Sequence, residues 1–513
     1  MKNNIWKPFA ITLLVIAILI GLFYMPRIKV GDTLLRRVNI LSEVQSRDKD
    51  GNIVAEVEAD EAEGIVEAKF DSAVVKKVSK PVFVDSIPEG MTAIEDFSTS
   101  GTPVMDKFYA ALDQSASRPV RIAYYGDSFI EGDILTEDLR EYLQQTYGGC
   151  GVGFVDIKSI TSGFRQTVAN KNSGWNDHNA NDGKGKRFNS ELQGINGRYF
   201  IPNGTAQYEL RGTKRKYPAH LDTMEVATVF YTPAGGLHIS AAINGEELEE
   251  LYASGGEAQY EEETHTVRDM HVTTHYNEDS TEVVYDTTYS EREVHTSNAV
   301  QEMGHIASRS IKRGKLGSFR MQVSGGSSSR FYGVALEGHH GIVLDNFSMR
   351  SSDGTFIKSI PASTLQSFAR LRPYDLIIIH FGLNVANAKQ KDYSNYTSRM
   401  SEAIRNLRSA YPHAAILVVS VGDRAKRGAD GQMHTMPGIK ELVSYQRMMA
   451  SEQHVAFWNL YEGMGGDGSI GQMVKNKQAN LDYTHINFAG GQHIAKIFYD
   501  VLKNGKENYD RRK

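Results

Sequence analysis

Residues 121–133 read RIAYYGDSFIEGD, an apolar run that breaks at Gly126-Asp127-Ser128 into an acidic turn containing Gly132. The run lacks clean apolar/polar alternation, which suits a strand covered on both faces. Such a strand, followed by the helical pattern LTEDLREYLQQTYG at 135–148, delivers a serine at its carboxyl end. Ser128 is then either a cap for the turn, since Ser and Asp oxygens accept from unpaired N–H groups there, or a nucleophile. A nucleophile needs a base, a group that orients the base, and donors for an oxyanion from elsewhere in the chain.

Four further runs have the same buried-strand character: GIVLDNF at 341–347, DLIIIHFG at 375–382, AAILVVSVG at 414–422 and VAFWNLY at 455–461. Helical patterns lie among and after them, at 396–411 and at 493–502, where Ile494, Ile497, Phe498, Val501 and Leu502 share a face. Alternating strands and helices predict an α/β fold with a parallel sheet, helices on both sides, and ligands at the carboxyl ends of the strands. Residues 161–334 break that rhythm with short β-type runs such as ATVFYT, GGLHISAAING and TEVVYDTTY, separated by turn residues. They predict an inserted β-sandwich domain, a candidate carbohydrate-binding module. Within it, Trp175 is a sugar platform or ordinary packing. His265, His271 and His275 read as one solvated β surface, although the spacing of the last two would suit a metal on a helix.

The composition, 40% hydrophobic and 23% charged over 513 residues, is that of a globular protein. With 57 basic and 62 acidic residues, a net charge of -5 gives no general footprint for nucleic acid. The single cysteine, Cys150, excludes an intrachain disulfide framework and a Cys-based zinc site. Near the N-terminus, Phe9 to Met25 carries no charge and is flanked by Lys2, Lys7, Arg27 and Lys29. It predicts an uncleaved signal anchor in residues 1–29, placing the bulk of the chain outside the cytoplasm. Residues 30–94, rich in Asp, Glu and Lys, then read as a stalk. The α/β domain is expected over 95–160 and 335–513.

A base for Ser128 is offered by LDYTHINF, where Asp482 precedes His485 by three residues, ahead of the last helix. That spacing can place a carboxylate against one imidazole nitrogen while the other faces a serine hydroxyl. Alone, the pair also reads as helix capping. HFGLN ends a strand with Gly382 and Asn384, and an Asn there can direct its amide at an oxyanion, a contact worth ~3 kcal/mol of barrier.

Gly126-Asp127-Ser128, Gly382-x-Asn384 and Asp482-x-x-His485, in this order and setting, resemble the SGNH, or GDSL, hydrolases. The longer runs GDSFIEGDILTEDLREYLQQTYGGCGVGF, FYGVALEGHHGIVLDNF and FWNLYEGMGG resemble a membrane-anchored, exported branch found in Bacteroidetes. The inserted β domain makes the chain similar to peptidoglycan O-acetylesterases. The resemblance implies a flavodoxin-like three-layer sandwich and cofactor-free ester hydrolysis by Ser128, His485 and Asp482, with Gly126, Asp127 and Gly382 shaping the site. It also implies an oxyanion hole made by the Ser128 N–H, the Asn384 amide and the N–H of a glycine after the second strand. Here that glycine's position holds Ser351, and Gly354 follows three residues on, so Ser351 and Gly354 are alternative donors. Glu131 and Asp133 are expected as surface or capping groups.

The expectation is an anchored serine esterase that removes acyl groups, acetyl foremost, from a cell-surface polysaccharide or peptidoglycan. The same residues could instead serve an O-acetyltransferase fed by a membrane acyl-transfer partner, or remain inactive in a carbohydrate-binding surface protein.

Overall fold

The opening run forms the strand Pro119–Gly126, and the four other apolar runs form Gly341–Ser348, Leu376–His380, Ala415–Val419 and Ala456–Trp458. The computed structural model describes residues 80–182, 188–213, 215–217, 224–254 and 305–513, together with the backbone of the strands Lys29–Val30, Thr33–Leu34, Glu262–Tyr276 and Val283–Ser297. The chain divides into two units, Met1–Val75 and Lys76–Lys513. In the first, Lys29–Val30 pairs antiparallel with Thr33–Leu34. The expected anchor at Phe9 to Met25, and most of the expected stalk, lie outside the described residues. Among the described residues no helix is long and apolar enough to cross a membrane.

In the second unit the five strands are parallel neighbours, and two short strands, Ile94–Asp96 and Phe83–Val84, extend one edge antiparallel. Phe83–Val84 and the first residue of Ile94–Asp96 fall within the stretch expected as a stalk, so part of it is built into the sheet. Numbered by chain position, the parallel strands are ordered 2-1-3-4-5, which puts the reversal of strand order at Pro119–Gly126. Ligands of open α/β sheets sit beside such a reversal.

Leu376–His380 and Ala415–Val419 are buried at every residue, as a strand covered on both faces must be. Each Ile or Leu side chain so buried stabilises the fold by roughly 1.5–3 kcal/mol. The helices Asp106–Leu112, Thr136–Tyr147 and Phe488–Arg512 form one packed group, and Ala362–Leu371, Ser394–Ala410 and Ile439–Glu452 form another.

Between the first two parallel strands the chain builds a second sheet of nine strands, from Gly153–Val155 to Arg330–Glu337, so it begins before residue 161 and ends after 334. Part of its apolar surface forms a separate core that includes Phe331, Tyr231 and Trp175, while Phe154, Phe230 and Tyr332 pack into the core of the first sheet. The indole of Trp175 is buried edge-on against Phe331, and its Nε1–H donates to the Gln207 carbonyl at 2.8 Å, so Trp175 is packing. His265, His271 and His275 fall on Glu262–Tyr276, which pairs along its whole length with Val283–Ser297, an extended ladder and not a helix.

A buried carboxylate joins the two sheets. Asp345, on Gly341–Ser348, accepts from the Phe154 N–H of the second sheet at 2.8 Å, from Arg372 Nε at 2.6 Å and from the Tyr374 hydroxyl at 2.5 Å. Buried charges persist where they are paired and hydrogen-bonded in this way.

Candidate active site

Register brings the parallel strands to a common carboxyl edge. Gly126 is partnered by Ser348 on one side and His380 on the other, His380 by Val419, and Val419 by Trp458. Ser128 therefore leaves the sheet two residues past this row, Ser351 three and Asn384 four.

The Gly-Asp-Ser turn is fixed by its aspartate. Asp127 Oδ1 accepts from the Phe129 N–H at 3.0 Å, and Oδ2 accepts from the N–H groups of Gly382 and Leu383, each at 3.2 Å. One carboxylate thus caps the turn and pins the neighbouring loop that carries Asn384. Burial pushes the Asp127 carboxyl up to about 6, against the pull of those three N–H groups and of His485.

Ser128 is 5% exposed, and its Oγ lies 3.0 Å from His485 Nε2. His485 Nδ1 lies 2.7 Å from Asp482 Oδ2, while Asp482 Oδ1 accepts from the backbone N–H groups of Thr484 and His485 at 2.9 and 3.0 Å. Burial acts to raise the Asp482 carboxyl, but the bonds from the His485 ring and backbone outweigh it and hold it below the ordinary range. An ionised Asp482 keeps the imidazole proton on Nδ1 and leaves Nε2 free to accept from the serine hydroxyl. Asp482 and His485 do not cap the last helix, because Asn487 does, accepting from Ala489 and Gly490 N–H at 3.0 and 3.2 Å.

Asn384 Nδ2 donates to the Ser352 carbonyl at 3.0 Å, which orients the amide and leaves its second hydrogen for another acceptor. Of the two alternative backbone donors, Gly354 is engaged, its N–H donating to Ser352 Oγ at 3.0 Å. Gly354 is required as glycine for another reason: at φ +83°, an added Cβ would stand 2.5 Å from the Phe381 ring. Ser351 takes the left-handed φ of +61° that the expected glycine would adopt freely. Ser351 thus stands as the better placed of the two.

Two acidic residues differ from expectation. Asp133 is 1% exposed and accepts from Thr136, Arg140, Arg165 and Thr167 side chains, linking the turn to the inserted region. Burial alone would raise its carboxyl, yet the Arg140 and Arg165 guanidiniums hold it far below the usual range. Glu131 is also buried, with Arg350 Nη1 3.4 Å from its Oε1. Neither is a surface group, because the inserted region covers a turn that a lone α/β domain would leave wet. Arg350, and Arg424, which donates to the Leu383 carbonyl at 3.1 Å, stand at the same edge. Isolated arginines in loops carry no motif, so sequence reasoning passed over both. Among the described residues no group of three or more His, Cys, Asp or Glu side chains is placed to hold a metal ion.

The fold resembles that of a peptidoglycan O-acetylesterase. The superposition covers 81% of this chain and 99% of that one, with a TM-score of 0.58 at 17% identity. A salicylyl-acyltransferase from a tetracycline biosynthetic pathway, 13% identical, matches over 64% of this chain and 95% of its own, with a TM-score of 0.24. A family two carbohydrate esterase from Clostridium thermocellum, 12% identical, matches over 60% and 94%, with a TM-score of 0.25. No protein-family model and no curated protein sequence matches the chain.

Proposed function

We propose that the protein is a serine esterase of the SGNH type, acting on O-acetyl groups of a cell-surface polysaccharide or peptidoglycan. The observation that carries this reading is the hydrogen-bonded series Ser128 Oγ, His485 Nε2, His485 Nδ1 and Asp482 Oδ2 at 3.0 and 2.7 Å, at the reversal of strand order. The 2-1-3-4-5 order supports a flavodoxin-like sheet. The likeness to a peptidoglycan O-acetylesterase over 81% of this chain supports the choice of substrate class and the reading of the second sheet as an inserted sandwich. On that sheet a groove of about 250 Å³, lined by residues such as Asn172, Gln207, Glu209, Arg320 and Gln322, offers hydrogen-bonding groups to a saccharide. The apolar segment at Phe9 to Met25 supports a membrane anchor with the enzyme on the extracytoplasmic side.

In this mechanism His485 Nε2 takes the Ser128 proton as Oγ attacks the ester carbonyl. The oxyanion is held by the Ser128 N–H, the Ser351 N–H and the free hydrogen of the Asn384 amide. The tetrahedral intermediate collapses, His485 protonates the departing sugar oxygen, and an acyl-serine remains. Water then attacks, giving its proton to His485, and acetate leaves as Ser128 regains its hydrogen. The His485 side chain is 36% exposed, which lets water reach the acyl-enzyme.

The test is hydrolysis of p-nitrophenyl acetate by the full chain and by His485→Ala. The reading expects a fall of at least ~10³-fold in the variant; equal rates would exclude His485 as the base.

A further inference from the structure

Segment 348–354 carries a serine in a left-handed backbone conformation where glycine would rest without strain, and such a conformation persists only when its surroundings over-determine it. The surroundings come from the inserted region. Asn181 Nδ2 donates to the Arg350 carbonyl at 2.7 Å, and Arg198 Nη2 donates to the Ser348 carbonyl at 3.0 Å. Arg198 is itself held by Asp156 through Nη1, and Asp156 also accepts from the Asn196 amide at 2.5 Å.

Each of these carbonyls shares a rigid peptide plane with the next residue's N–H, which points the opposite way. The consequence is visible at the first plane, where Arg198 holds the Ser348 carbonyl and the Met349 N–H across from it donates to the Gly126 carbonyl at 2.9 Å. At the second plane, Asn181 holds the Arg350 carbonyl, and the group across from it is the Ser351 N–H. A donor on the carbonyl also polarises the peptide and strengthens its N–H as a donor.

We infer that Asn181 is a positioning residue for the oxyanion site, acting from the inserted region by fixing the plane of the Arg350–Ser351 peptide so that the Ser351 N–H faces the reacting carbonyl. Arg198 fixes the preceding plane. This rests on the esterase reading and extends it: the inserted region contributes to the chemistry as well as to any saccharide binding.

Asn181 is exposed, so its replacement leaves the core intact. In the full chain, Asn181→Ala and the near-isosteric Asn181→Asp, which cannot donate, are expected to lower kcat about tenfold with KM within twofold. Ser128 labelling by a fluorophosphonate, whose phosphonyl oxygen needs the same donors, should slow in parallel. Because glycine takes the left-handed conformation unaided, the effect of Asn181→Ala should shrink to about threefold or less in a Ser351→Gly background. Unchanged kcat and labelling in Asn181→Ala, a loss confined to KM, or an equal loss with Ser351 and with Gly at that position would each overturn the inference while leaving the esterase reading intact. A wild-type chain that the fluorophosphonate does not label at Ser128 would remove both.

Discussion

His485 Nε2 meets Ser128 Oγ at 3.0 Å although the two residues lie 357 positions apart in the chain. The sheet makes this possible, because the first parallel strand occupies the point where strand order reverses, and the loop before the last helix returns to its carboxyl edge. In the proposed mechanism the imidazole takes the hydroxyl proton, and Asp482, 2.7 Å from Nδ1, fixes which nitrogen is free to do so.

Asp482→Asn keeps the shape but removes the charge that holds the Nδ1 proton. The expected result is a loss of ~10³–10⁴ in kcat with little change in Tm. Activity within tenfold of wild type would show that Asp482 does not orient the base.

Asp127 gives a pH signature. Its folded pKa of about 6 lies above the ordinary 3.8, so between these values the folded chain keeps a proton that the unfolded chain releases. Wild-type stability should therefore decline relative to Asp127→Asn as pH rises from about 4 to about 6, and the difference should level off above that. Paired thermal melts across this range measure it. A pH-independent difference would contradict the buried, proton-retaining carboxyl.

Gly354→Ala places a methyl group against the Phe381 ring and asks alanine to hold φ +83°. A loss of more than ~1 kcal/mol is expected, together with reduced activity through the displaced loop. Denaturant unfolding measures the first and kcat the second. A variant as stable as wild type would mean the loop relaxes freely.

Asp133→Ala should be more damaging than its place beside the site suggests. The Arg140 guanidinium it pairs with has no exposed side-chain surface, and removing one partner of a buried pair costs roughly 3–5 kcal/mol. Urea midpoints for wild type and variant measure the loss. A change within ~0.5 kcal/mol, the ordinary range for surface positions, would contradict the network.

The five parallel strands were legible because residues buried on both faces leave uninterrupted apolar text, as in DLIIIHFG and AAILVVSVG. Ile94–Asp96 and Phe83–Val84 were not, since a strand of two or three residues carries no period to read. Ser128 and Asn384 stood out because each follows a run that ends at the same sheet edge, and Asp482 and His485 because a carboxylate three residues before an imidazole stands just ahead of the last helix. Asn181 and Arg198 left no comparable trace: they act on backbone carbonyls, any side chain with an N–H can do that, and only the fold shows which carbonyls they reach. The burial of Asp133 and Glu131 was hidden for a similar reason, as it comes with side chains that only the fold brings to the turn, Arg165 and Thr167 for Asp133 and Arg350 for Glu131.

The most direct measurement is acetate release from O-acetylated polysaccharides and peptidoglycan by the full chain, alongside Ser128→Ala. The account predicts release from at least one such substrate by the wild type and a fall of at least ~10³-fold in the variant, with Tm unchanged. Equal release by the two proteins would contradict Ser128 as the nucleophile, and no release by wild type from any of them would contradict the esterase reading.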